Sequence, residues 1–145
     1  MKDEAIIISQ KYSLLQEIYN IHPWRMMVCC IFLNQTNRKQ VDGIRLEFFR
    51  RYPDAEVAAK ADSREMADLL KPLGFKNRRT EIIKRFSSEW ICEDWTEPNE
   101  LYGIGEYGQD SWEIFQRGNT KINPKDGVLR KYLACFNRTN LSSSV

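Results

Sequence analysis

The chain has 145 residues, 42% of them hydrophobic and 29% charged, with a formal net charge of +2. That balance excludes a disordered chain and fits one globular unit, residues 1–145, able to bury its own core. It also excludes a strongly basic surface, so any binding to a polyanion must rest on a local patch. The longest apolar run, Met26 to Leu33, is too short to cross a membrane, and no membrane contact is expected. Met1-Lys2-Asp3-Glu4 does not open a signal peptide, which fits an intracellular protein.

There are four cysteines: Cys29, Cys30, Cys92 and Cys135. Cys29 and Cys30 lie inside an apolar run and read as core residues of a reduced protein. No Cys-x-x-Cys pair occurs, so neither a zinc ribbon nor a cysteine-ligated iron–sulfur cluster is expected, and no metal site is assigned. His22 is the single histidine and reads as a surface residue at a helix start, which argues against a histidine-centred triad.

Helical periodicity runs nearly throughout, and no stretch shows strand alternation. Tyr12, Leu15 and Tyr19 suggest a first helix. Pro23 suits the first turn of a second, Trp24 to Phe32, which is apolar almost all round and therefore central. Asn37 with Gln40 forms a capping-box pattern for a helix carrying Val41, Ile44, Phe48 and Tyr52 on one face, ended by Pro53. Asp54 to Lys60 reads as a short helix. Asp62 with Glu65 opens the next, with Met66, Leu69 and Leu70, and Pro72-Leu73-Gly74 stops it. Lys76 to Trp90 follows with Ile82, Ile83 and Phe86 inward and a basic opening. Trp112 and Phe115 face inward on a helix starting near Glu106. A last helix begins after Asp126 and uses Leu129, Tyr132, Leu133 and Phe136, and the polar 140–145 tail is expected to fray. The pattern predicts an all-α globule of roughly eight to ten short helices.

Leu101 to Asp126 carries the chemistry. Gly103-Ile104-Gly105 makes a tight turn with an apolar anchor and exposed backbone N–H groups, and a helix starts just beyond it. Such a turn suits a phosphate. Asp126 follows Tyr107 by 19 residues, an interval one helix and a loop would fill, returning the carboxylate to the hairpin. The ordinary role of an Asp before an apolar-periodic run is a helix N-cap, and that is compatible with chemistry. Lys76, Arg78 and Arg79 could contact phosphates, although a charge run is usually a solvated face.

Four features recur together. They are Leu33-Asn34-Gln35-Thr36 after a buried helix, Pro72-Leu73-Gly74 before a basic helix, Glu100 to Gly108 with Asp110-Ser111, and Pro124-Lys125-Asp126. With His22-Pro23-Trp24 and Tyr52-Pro53-Asp54-Ala55 they resemble the helix-hairpin-helix DNA glycosylases, from about Leu14 to Phe136. Within that superfamily the chain looks most like the catalytic domains of the methyl-CpG-binding thymine glycosylases, which act on G·T mismatches.

The resemblance implies a helix-hairpin-helix glycosylase fold with its active site in the cleft beside the hairpin. It implies that Gly103, Ile104, Gly105, Tyr107 and Gly108 hold the DNA backbone, in this superfamily often with a monovalent cation at the hairpin carbonyls and no other cofactor. Asp126 matches the catalytic aspartate. Tyr107 stands where lyase-competent members carry a lysine, which implies a monofunctional enzyme. Gln16 and Tyr107 line the base pocket, Gln16 reading the flipped pyrimidine. Gln35 plugs the vacated gap and Leu73 wedges beside the orphaned base. Gln35 and Val128 depart from the thymine branch, which has arginine and lysine there. The implied partner is double-stranded DNA with a mispaired or damaged pyrimidine, bound by a monomer, in the nucleus if the source is eukaryotic. The rival readings are a non-catalytic DNA-binding module and a glycosylase of different base specificity.

Overall fold

The structure, a computed structural model, describes residues 13–143, with side chains described as far as residue 138. These residues form nine α-helices and two short 3-10 turns, with no strand among them. The helices are α1 (Leu15–Tyr19), α2 (Pro23–Phe32), α3 (Arg38–Asp42), α4 (Arg45–Arg51), α5 (Ala55–Ala59), α6 (Ser63–Leu70), α7 (Lys76–Ile91), α8 (Glu106–Phe115) and α9 (Gly127–Ser143). Tyr12, assigned to the first helix by its spacing, lies outside the described residues.

The caps follow the sequence signals. Asn37 Oδ1 accepts from the Gln40 amide at 2.9 Å, and Gln40 Oε1 accepts from the Asn37 amide at 3.0 Å. Asp54 and Asp62 cap α5 and α6 by accepting from the amides of Val57 and Glu65. Each such cap is worth about 1 kcal/mol.

The single helix predicted over Val41 to Tyr52 is two helices, broken at Gly43 and Ile44. Glycine inside a helix costs about 1 kcal/mol, and the break brings Asp42 under two arginines. Asp42 Oδ1 accepts from Arg38 Nε and Arg45 Nε, each at 2.8 Å, and the buried Arg45 also donates to the Tyr19 hydroxyl at 2.9 Å. Val41, Ile44, Phe48 and Tyr52 still all point into the core.

Helix α2 is the axis of the fold. Met26, Met27, Val28, Cys29 and Phe32 are fully buried, and α2 packs against α1, α7 and α8. Its burial on nearly every face follows from being apolar almost all round, with Arg25 the charged, partly exposed exception. Phe32 meets Phe48 edge to face with ring centroids 4.9 Å apart, and Phe48 continues to Phe49 and Tyr52. A smaller apolar cluster of Ile114, Leu129 and Leu133 seats α9 against α8, with Tyr107, Phe115 and Tyr132 at its edge. That contact fixes where the start of α9, and therefore Asp126, sits.

Candidate active site beside the hairpin

The hairpin between α7 and α8 closes with the Ile104 amide donating to the Leu101 carbonyl at 3.2 Å. Gly103 has φ +87°, and a Cβ there would lie 2.4 Å from Ile82 Cγ2. Only glycine fits, for both reasons. Ile104 is buried as the anchor its spacing predicts. Glu89 Oε1 accepts from the Tyr102 amide at 2.9 Å, tying the turn to α7. The Arg85 and Arg78 guanidinium groups lie 4.0 Å and 5.5 Å from the Tyr102 ring centroid. The basic opening of α7 thus reaches the hairpin through Arg78.

A cavity of about 740 Å³ opens beside this turn. Its walls come from α1 (Gln16), the loop after α2 (Asn34, Gln35), the hairpin (Gly103 to Gly105), α8 (Tyr107, Gly108) and the start of α9 (Asp126, Val128). This volume falls within the range of small-molecule sites. Gln16 is 2% exposed, and its Nε2 donates to the Tyr107 hydroxyl at 2.6 Å and to Ser111 Oγ at 3.2 Å. Burial, foremost, pushes the Tyr107 phenol well above its usual range, so it stays neutral. Cys30 lies in the cavity wall, and burial pushes its thiol up to about 12.

Asp126 is half-buried, and its Oδ2 accepts from the Leu129 amide at 2.9 Å. It is therefore the N-cap of α9. The cap uses one carboxylate oxygen and holds the group at the cavity wall, at the positive end of the α9 dipole.

Gln35 lies at the cavity mouth, exposed, with φ +61°. A non-glycine residue in the left-handed region stores about 1 kcal/mol of strain.

Four expectations need correction. Leu73 is 3% exposed and packs in the core beneath the 3-10 turn Lys71–Leu73, so it cannot wedge into DNA in this conformation. Phe75, two residues on, is 70% exposed with φ +49° and is the apolar side chain this loop presents to solvent. Arg79 does not face a phosphate: it is 5% exposed, with its guanidinium on backbone carbonyls. Gly108 is buried, and a Cβ there would lie 2.9 Å from Ile104 Cγ2, so its role is close packing of α8 on the hairpin. Lys76 lines a separate cleft between α6 and α7, away from the cavity.

An all-helical fold with a glycine hairpin, a helix-capping aspartate and a polar-floored cavity between them defines a class of DNA repair protein. The chain belongs to the HhH-GPD superfamily of base excision DNA repair proteins, whose family model matches residues 28–141. It is 38% identical over 121 residues to the methyl-CpG-binding domain protein 4-like protein of Arabidopsis thaliana, covering 83% of this chain and 27% of that protein. It is 33% identical over 92 residues to the thymine/uracil-DNA glycosylase of Pyrobaculum aerophilum, covering 59% of this chain and 40% of that one. The thymine-DNA glycosylase of Aeropyrum pernix is 31% identical over 93 residues, 59% of this chain and 41% of its own length. The solved structure of a thermostable thymine-DNA glycosylase superposes with a TM-score of 0.63 over 68% of this chain and 48% of that one, at 24% identity, which speaks to the fold. The chain thus spans well under half the length of these curated relatives.

Proposed function

We propose that this chain is a monofunctional DNA glycosylase that removes thymine or uracil from G·T and G·U mispairs. The observation that carries the reading is the convergence of Asp126, Gln16, Tyr107 and the hairpin on one cavity. A base inside a duplex hides its glycosidic bond, so the nucleotide must rotate out into such a cavity. Unstacking is least costly at a mispair, which itself favours mismatched substrates. Breaking the bond builds positive charge on the sugar. A carboxylate beneath it stabilises that charge and orients or deprotonates the attacking water. Asp126 has the position and chemistry for that role, and its cap leaves one oxygen uncommitted to Leu129.

The names of the Pyrobaculum aerophilum and Aeropyrum pernix relatives support a pyrimidine substrate. So does Gln16. Its two amide hydrogens engage Tyr107 and Ser111, so the atom left to meet a base is the Oε1 acceptor, which suits the N3–H of thymine or uracil. Tyr107 has no amine, which supports hydrolysis without a lyase step. Gln35 lines the opening, and Phe75 is the exposed ring of the loop that Arg79 ties to it; these are the residues we assign to the vacated gap and the orphaned base. A monovalent cation at the turn would be held by main-chain carbonyls between Leu101 and Gly105 and would add positive charge toward a phosphate. Those oxygen donors suit such an ion, and Leu101 already turns its carbonyl into the hairpin.

The test is base release from labelled duplexes carrying G·T, G·U, A·U and A·G pairs, wild type beside Asp126→Asn, with alkali to reveal abasic sites. Release at G·T and G·U that Asp126→Asn abolishes is the expected result. Binding without release from any duplex would return the chain to a non-catalytic DNA-binding module. A borohydride-trapped adduct would overturn the monofunctional assignment.

A further inference from the structure

Arg79 is a buried cation with a peculiar set of partners. It lies in the first turn of α7 at 5% exposure, and every hydrogen bond its guanidinium makes goes to a main-chain carbonyl. Buried arginines usually face a carboxylate, because taking a charge out of water is costly. Here Nε donates to the Gly74 carbonyl at 2.8 Å and Nη2 to the Asn34 carbonyl at 2.9 Å. Longer contacts reach Leu73 at 3.4 Å, Ile31 at 3.4 Å and Phe32 at 3.5 Å. Ile31 and Phe32 are the last residues of α2, and Leu73 and Gly74 close the 3-10 turn. Carbonyls at helix C-terminal ends carry partial negative charge, so the guanidinium is balanced by main-chain dipoles at the ends of α2 and the 3-10 turn instead of by an anion.

The two termini belong to two loops, and each loop carries a non-glycine residue at positive φ directly after a carbonyl that Arg79 holds. Gln35, at φ +61°, follows Asn34, and Phe75, at φ +49°, follows Gly74. Among the described residues only Glu93 otherwise shares that conformation without being glycine. Such conformations persist where the surroundings over-determine them. Both side chains are exposed.

We infer that Arg79 is a positioning residue that locks the Gln35 loop and the Phe75 loop into one rigid two-pronged element that opens the duplex around the extruded nucleotide. What that element acts on rests on the glycosylase reading above. The planar fork sets the angle between the loops because its nitrogens bind both at once. A lysine would keep the charge and lose the bridge.

The experiment compares wild type with Arg79→Lys and Arg79→Gln, after thermal melting shows which variants fold. Two readouts are taken. One is single-turnover uracil release from a G·U duplex and from single-stranded DNA. The other is the fluorescence of 2-aminopurine placed beside a G·T mispair, which rises when the neighbouring stack opens. Arg79→Lys should slow duplex release by about tenfold or more while single-strand release changes by less than about threefold, and the fluorescence rise should shrink. Gln35→Ala and Phe75→Ala should be non-additive on duplex release in the wild type and additive in Arg79→Lys. Equal losses on both DNA forms, or an undiminished fluorescence rise, would overturn the assignment. If the wild type releases no base, the glycosylase reading fails, and the fluorescence alone decides the role of Arg79: a full rise in Arg79→Lys, or none in the wild type, overturns it.

Discussion

Gln16 donates its amide nitrogen to the Tyr107 hydroxyl at 2.6 Å, joining residues 91 positions apart across the floor of the cavity. Because Tyr107 stays neutral and Ser111 takes the second amide hydrogen, the orientation of the Gln16 amide is fixed before any base arrives. Tyr107→Phe removes one of these acceptors and lets the amide turn. A neutral hydrogen bond is worth about 1 kcal/mol, so kcat/KM for uracil release should fall about fivefold. Gln16→Ala should fall further. Single-turnover rates on a G·U duplex check both, and a Tyr107→Phe rate equal to wild type would show that the amide needs no such anchor.

Asp126 carries two duties that substitution can separate. Asparagine caps a helix about as well as aspartate, so Asp126→Asn should melt within about 0.5 kcal/mol of wild type while base release disappears. Asp126→Ala loses the bond to the Leu129 amide as well and should cost about 1 kcal/mol of stability. Denaturant titration and base-release assays on the same preparations check the pair. Release that survives in Asp126→Asn would reduce the residue to a cap.

The helices, the hairpin and Asp126 are legible in the sequence because each leaves a local mark. Capping residues stand three positions apart, glycines bracket one isoleucine, and an Asp precedes an apolar-periodic run. Gln16 leaves no such mark. Its partners come from α8, and only a family resemblance points to it. The basic start of α7 misleads for a physical reason: a run of cations reads as a solvated face, and which one turns inward depends on helix phase. The phase is in fact present, since Arg79 lies four and seven residues before Ile83 and Phe86 on the buried face. The break at Gly43 is invisible to periodicity because the same apolar face continues through both helices.

The glycines of the hairpin separate folding from binding. At Gly103 both the left-handed φ and the 2.4 Å approach to Ile82 penalise a methyl group, so Gly103→Ala should destabilise the fold by about 2 kcal/mol. At Gly105 φ is −108° and a Cβ would meet nothing within 4 Å, so Gly105→Ala should melt like wild type. A DNA backbone seated on this turn would meet that methyl group directly. Fluorescence anisotropy with a labelled duplex should therefore show weaker binding for Gly105→Ala at unchanged stability. Unchanged affinity would place the DNA elsewhere on the surface.

Leu73 and Phe75 flank Gly74, and the sequence alone does not say which one faces the core. Two consecutive residues at positive φ, Gly74 and Phe75, break the helical phase between the 3-10 turn and α7 and send the side chains opposite ways. Leu73→Ala removes a buried leucine and should cost about 3 kcal/mol of stability. Phe75→Ala removes an exposed ring and should leave stability within about 0.5 kcal/mol. Phe75→Gly should be as stable or more so, because glycine relieves the left-handed backbone. On DNA the order should reverse. Phe75→Ala loses the apolar surface available to stack in the opened duplex, where a base–aromatic contact is worth about 1–3 kcal/mol, so release from paired DNA should fall about tenfold. Melting curves and duplex release rates for the three variants check this, and a Leu73→Ala protein that melts like wild type would restore Leu73 as the wedge.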